Sequence, residues 1–279
     1  MNARAFLIRG LIAGLIAGLA AFFVGYLVGE PHIDTAIALE DANSAADEAA
    51  APAEEEHAED GHAHVHGEDG TVAEHAHEHG EGGTVVSRES QSTWGLLTGT
   101  VAMGLALGGL VALVVAGVAG RIGRLSVRQT SALVSLLAYV SCALVPFLKY
   151  PATPPAVGNG DTIGHRTAVY FGFLLVSLLA AIAATVLATR LAPKLGWYAA
   201  VVSGIGLYLA VVVIAAVAFP TVNEIGDFPA DTLWYFRVSS LLTIATLWGT
   251  IGVVLTGLLG RLEAKEIAVQ QRREFAAAL

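Results

Sequence analysis

Charge is scarce in this chain. Asp, Glu, Lys and Arg make up 14 % of its 279 residues, against 55 % hydrophobic ones, about half the charged share of an ordinary soluble domain. Several apolar runs exceed about eighteen residues, the length that reads as a membrane span. No Asp, Glu, Lys, Arg or His lies in the middle of any of these runs. Intramembrane ionisable groups mark proton relays and ion paths, so a proton-coupled carrier with a buried carboxylate is disfavoured. There is one cysteine, Cys142. It excludes an intrachain disulfide and, inside a span, says nothing of redox compartment. No G-x-x-x-x-G-K-[ST] stretch occurs, so no ATP site of that kind is expected. With no catalytic constellation in the spans and no nucleic-acid motif, neither an enzyme nor a nucleic-acid partner is expected.

Histidine, by contrast, is concentrated. Seven of the nine histidines fall between positions 57 and 79: His57, His62, His64, His66, His75, His77 and His79. The pattern H-A-H-x-H-G-E-x-G-T-V occurs twice, from His62 and again from His75, among Glu59, Asp60, Glu68, Asp69, Glu74, Glu78 and Glu81. Short His-rich tracts are a compositional mark of metal binding. In extended chain alternate residues face one side, so three imidazoles share an edge. Imidazole favours cobalt, nickel, copper and zinc over calcium or magnesium, and the carboxylates offset the ion's charge. A purification tag would be terminal and unbroken, and a merely solvating acidic linker would not need alternate histidines. With Gly and Ala in the gaps and no apolar period, the stretch reads as a disordered arm that samples metal.

The rest of the chain reads in order as an anchor over residues 1–29, an acidic His-rich loop over 30–93, a five-helix membrane domain over 94–260 and a cytoplasmic tail over 261–279. The first span, residues 6–28, would be about 34 Å long as a helix. Arg4 and Arg9 stand at its start as in a signal peptide, but the apolar run is too long for one and reads as an uncleaved anchor. Gly10, Gly14 and Gly18 share a stripe continued by Ala21, Gly25 and Gly29, and such stripes let helices pack closely in lipid. Five further spans follow at 94–119, 129–148, 167–188, 197–219 and 238–260. Eleven of the fifteen Lys and Arg then fall on one side, leaving Arg88, Lys149, Arg166 and Arg237 on the other. By the positive-inside rule both termini are cytoplasmic and the arm is outside. Among the polar groups within the spans, Met103 and Cys142 are candidate soft ligands, with plain packing the commoner role.

The two long outer connectors are richer. Residues 146–167 carry Pro151, Pro154 and Pro155, which stop the helix, then Asp161 and His165. Residues 219–237 carry Pro220, Glu224, Asp227 and Asp231, with Trp234 and Tyr235 at interfacial depth. Asp231 is placed to cap the following helix. These five, Asp161, His165, Glu224, Asp227 and Asp231, are the candidates for receiving an ion at the outer mouth. Capping and anchoring account for Asp231 and the aromatics, while Glu224 and Asp227 stand open between a structural and a functional reading.

The stretches K-Y-P-A-T-P-P-A-V-G with T-I-G-H-R-T-A-V-Y, and N-E-I-G-D-F-P-A-D-T-L-W-Y-F-R-V-S-S-L, resemble the proposed cobalt transporter subunit family CbtA over nearly the whole chain. The resemblance implies cobalt uptake linked to cobalamin synthesis, beside a small, single-span, His-bearing CbtB subunit. That family is often described with five spans, whereas six are counted here. The expectation is therefore an all-α polytopic bundle of about six transmembrane helices in the cytoplasmic membrane, taking up a divalent transition metal: cobalt, with nickel and zinc as alternatives. A metal-binding accessory or sensory subunit that delivers ions to another permease is the second reading.

Overall fold

The computed structural model describes residues 2–50 and 86–278, with the side chains of 47–50 left out. The arm's histidines, His57, His62, His64, His66, His75, His77 and His79, lie outside the described residues. Those described are all-helical, as lipid requires of a chain that must pair its backbone internally without closing a barrel. Among the described residues five helices are long and apolar enough to cross a membrane: Ala3–Ala46, Arg88–Val118, Val127–Lys149, Gly160–Ala218 and Ala230–Ala277.

The first begins as α1 (Ala3–Val24), passes through a π-turn (Gly25–Gly29) and continues as α2 (Glu30–Ala50). The expected loop from residue 30 is thus helical over its first part. Low hydropathy marks where lipid ends, but alanine is the best helix former, so the helix persists. Pro31 has no N–H to return to the preceding turn, and the π-turn lies where that bond is missing. The chain returns at α3 (Arg88–Ser90), a second π-turn (Gln91–Gly95) and α4 (Leu96–Val118).

The glycine stripe of α1 is where the bundle is tightest. A Cβ on Gly14 would stand 2.1 Å from the Gly104 carbonyl oxygen of α4, and one on Gly10 would stand 2.4 Å from that of Gly108. The two backbones touch, as small residues permit in lipid. The stripe does not extend to Gly29, which has open space around it. Ala13, Ala17, Val115, Ile251, Leu255 and Leu259 close the core beside it. The first helix is therefore a central member of the bundle, more than an anchor.

A tight connector leads to α5 (Val127–Tyr139), a third π-turn (Val140–Leu144) and α6 (Val145–Lys149). Ser126 and Gln129 form a capping box at the start of α5. The last helix, α8 (Ala230–Ala277), runs antiparallel to α5: Gly252 approaches Ser135, Thr256 bonds Ser131 and Gly260 meets the Arg128 side chain. Glu263 then accepts hydrogen bonds from the Val127 and Arg128 amides at 2.9 and 3.3 Å, a carboxylate at a helix N-terminus. The helix outlasts its apolar part, so the expected tail from 261 is helical to Ala277.

Between them, α7 covers Ile163–Ala218. Straight, its 56 residues would span about 84 Å, well over twice a bilayer's hydrocarbon core. It is broken at Gly196, whose φ of 78° and ψ of 161° are not helical. The Ser177 and Tyr208 hydroxyls meet at 2.9 Å across the break. A Cβ on Gly204 would lie 2.9 Å from the Ala184 carbonyl. The two arms are a hairpin, set against α6 and the third π-turn.

Candidate functional site

The connectors after α6 and α7 are tied together at the root. Tyr150 donates its hydroxyl to the Pro220 carbonyl at 2.7 Å, and Lys149 donates to that of Phe219 at 3.3 Å. Beneath them Phe173, 1 % exposed, packs edge-on against Tyr150 and Phe219. Arg237 donates to the Ala152 carbonyl at 3.4 Å.

Farther out, the Asn159 side chain accepts from the Asp161 amide at 3.0 Å and opens a short 3₁₀ turn (Gly160–Thr162) into α7. Glu224 reaches across from the second connector. Its Oε2 accepts from the Asn159 amide at 3.1 Å and the Thr162 hydroxyl at 3.0 Å, with the Arg166 guanidinium at 3.5 Å. The Asn159 N–H, then the Thr162 hydroxyl, and more weakly the charges of Arg166 and His165, hold the Glu224 carboxyl below the usual glutamate range against a smaller opposing effect of burial. Gly158, at φ 107°, lets the chain pass the Arg166 head group, which a Cβ there would meet at 2.2 Å.

These contacts frame a cleft of about 470 Å³. Its floor is the two connectors, including Asn159, Glu224 and Asp227, and its wall is α2, through Leu39 and Asn43. A second cleft of about 430 Å³ adjoins it, with Glu40, Ser44 and Arg166 on its rim. Of the five expected residues, Glu224 and Asp227 thus share one cleft. Asp161 and His165 are exposed at the head of α7, outside both linings. Asp231 does not cap α8: the N-cap is Pro229, with no side-chain bond, and Asp231 contributes only an acid to the first turn. Among the described residues no three His, Cys, Asp or Glu converge as a metal cage.

Two features escaped sequence reasoning. Arg88, just past the arm, pairs with both Glu30 and Asp34 of α2, the latter at 2.9 Å. His32 stacks on Tyr235 of α8, rings 5.8 Å apart. Together they hold α2 over the connectors. The four-residue spacing of Glu30 and Asp34 was the one signal available. Of the candidate soft ligands, Met103 is 54 % exposed on the bundle's outer face, whereas Cys142 lies in the third π-turn.

The family model described as "probable cobalt transporter subunit (CbtA)" matches residues 3–260. The chain belongs to the CbtA family. The match takes in α1 and α2 as well as the later helices, so the CbtA unit includes the part that walls the cleft. No curated protein and no solved structure matches the chain. A CbtA chain with five membrane-competent helices is a multi-pass membrane protein, and as a transporter subunit it works with other chains.

Proposed function

We propose that this CbtA chain takes up a divalent transition-metal ion, cobalt before nickel or zinc, across the cytoplasmic membrane. The observation that carries this reading is the polar cleft walled by α2, from whose far end the His-rich arm departs. Counting the α7 hairpin as two crossings gives six, which leaves both termini on the cytoplasmic, Arg-rich side and the arm outside. His57, His62, His64, His66, His75, His77 and His79 capture metal there and raise its concentration at the cleft. Asp227 and Asn43 face the arriving ion. Glu224, already held by Arg166 and Thr162, keeps the cleft's floor in shape; Asp161, His165 and Asp231 add acidic or basic character around it. A small single-span CbtB-like chain is the expected partner, and lipid surrounds the bundle.

One observation favours the second reading, an accessory subunit that hands metal to another permease: no carboxylate or imidazole lies mid-span. Cellular accumulation separates the specificities. A deletion strain restored with this chain and its small partner should regain cobalt, measured beside nickel and zinc in the same cells. Restored nickel or zinc without cobalt would refute the cargo. No restoration of any metal, with both chains in the membrane, would refute uptake.

A further inference from the structure

At the end of the bundle away from the clefts, two connectors distant in sequence are pressed together. The first is the turn over residues 119–126, between α4 and α5, which carries Arg121 and Arg124. The second is the break of the α7 hairpin, with Arg190 and Lys194 just before it. They meet at the Trp197 ring: a Cβ on Gly123 would stand 2.5 Å from its Cη2 and Cζ2 atoms. Gly123 also has a φ of 56°, a left-handed conformation that a residue with a side chain seldom adopts. Close approach and backbone angle both require glycine there, so the meeting of the two connectors is built into the chain.

The contact brings four exposed cations to one corner. Between residues 94 and 223 the one acid is Asp161, at the opposite end of the bundle. Among the described residues no carboxylate pairs with any of the four, and Arg121 donates only to the Gly117 carbonyl of its own helix. Glu263, beyond the turn, is taken up by the Val127 and Arg128 amides. The positive-inside rule calls for cations at this level, and a helix C-terminus favours Arg190 and Lys194. Neither requires the two pairs to be brought together, where like charges repel. An anion between them offsets that repulsion with charge-assisted hydrogen bonds.

What adjoins the corner decides which anion fits. Trp197, Val201 and Ile205, at four-residue spacing, make an exposed apolar face on the second arm of the hairpin, leading from the corner into the membrane. A ligand with an anionic head and long apolar tails matches both features, whereas free phosphate matches only the first. We propose that this corner binds an acidic phospholipid, its phosphate between the Arg121–Arg124 and Arg190–Lys194 pairs and its acyl chains along Trp197, Val201 and Ile205. Basic sites between helices at a membrane surface take such headgroups. The hairpin packs on the rest of the bundle through α6 and the third π-turn, so a lipid at its turn staples the end that protein contacts hold least. The proposal depends on the chain lying in a membrane and not on the uptake reading.

The test uses the purified full chain in mild detergent, titrated with phosphatidylglycerol, phosphatidylcholine or inorganic phosphate. Native mass spectrometry counts the bound lipid, and thermal unfolding is followed alongside. Phosphatidylglycerol should bind about tenfold or more tightly than phosphatidylcholine and raise the unfolding midpoint, and phosphate alone should not raise it. Arg124→Gln or Lys194→Gln should each weaken the preference by up to about fivefold, the scale of one basic side chain at a lipid surface. Combining them with Arg121→Gln and Arg190→Gln should abolish it. A charge-matched control, with Arg261→Gln, Lys265→Gln, Arg272→Gln and Arg273→Gln, should keep it. A parent without preference for the acidic lipid would overturn the proposal, and so would an equal loss in the control, which would mean diffuse attraction. Stabilisation by phosphate as large as that by the lipid would overturn the lipid as ligand. If the fourfold variant does not fold, an unchanged preference in both single variants overturns the site.

Discussion

Glu224 and Asp227 stand three positions apart on one connector and have unlike surroundings. Glu224 is engaged by Asn159, Thr162 and Arg166, while Asp227 is exposed on the cleft. Asp227→Asn should therefore reduce uptake with folded protein retained, and Glu224→Gln, whose side-chain carbonyl still accepts from Asn159 and Thr162, should reduce it less. Glu224→Ala should loosen the 156–160 turn, read as faster proteolysis there. Full uptake by Asp227→Asn would remove that residue from the path. The depressed Glu224 carboxyl has a further consequence. A group with a lowered folded pKa contributes its stability above the usual glutamate range and loses it only as the pH falls through its own lower value. Acidification from about pH 7.5 to about 5.5 thus leaves Glu224 charged and protonates free imidazoles, whose pKa is about 6.5. Scarce-metal uptake should weaken over that range more in the intact chain than in the chain lacking residues 62–85. The glycines sort in the same physical way. Gly14→Val drives a side chain into the Gly104 carbonyl and should cost at least about 1–3 kcal/mol of overpacking, whereas Gly29→Ala, with open space around it, should be neutral to thermal unfolding in detergent.

The helices themselves extend past the lipid. At one end α2 stands over the connectors, pinned by Arg88; at the other α8 continues to Ala277. Glu263 couples the latter to α5 by capping its first amides. Glu263→Ala removes both acceptors and should destabilise the bundle by about 0.5–2 kcal/mol, the range for a lost N-cap. Thermal unfolding of the detergent-solubilised chain reads this, and an unchanged midpoint would mean that the Ser126–Gln129 box suffices alone. Hydropathy revealed where the apolar runs lie and the stripe of Gly10, Gly14 and Gly18 revealed a close-packing face. Neither revealed α2 or the end of α8, because alanine and charged residues extend a helix without leaving an apolar signal. The two connectors that line the cleft were legible through their prolines and acids. The pairing of Glu224 with Arg166 was not, since it joins positions 58 residues apart through a fold that sequence periodicity does not specify.

At the level of the whole molecule, charge asymmetry and the break at Gly196 together give the orientation proposed above. Cysteines placed one at a time at positions 70 and 192, with Cys142 replaced, should differ in intact cells: an impermeant thiol reagent should label position 70 and spare position 192. The reverse pattern would invert the protein. On the proposed function the arm concentrates metal without forming the crossing, so capture and transport should be separable. The most direct measurement is cobalt uptake into liposomes that contain the small partner and either the intact chain or the chain lacking residues 62–85, over free cobalt from nanomolar to abundant. Uptake by both, with the shortened chain falling behind only when cobalt is scarce, is the predicted result; uptake by neither at any concentration would contradict transport by this chain.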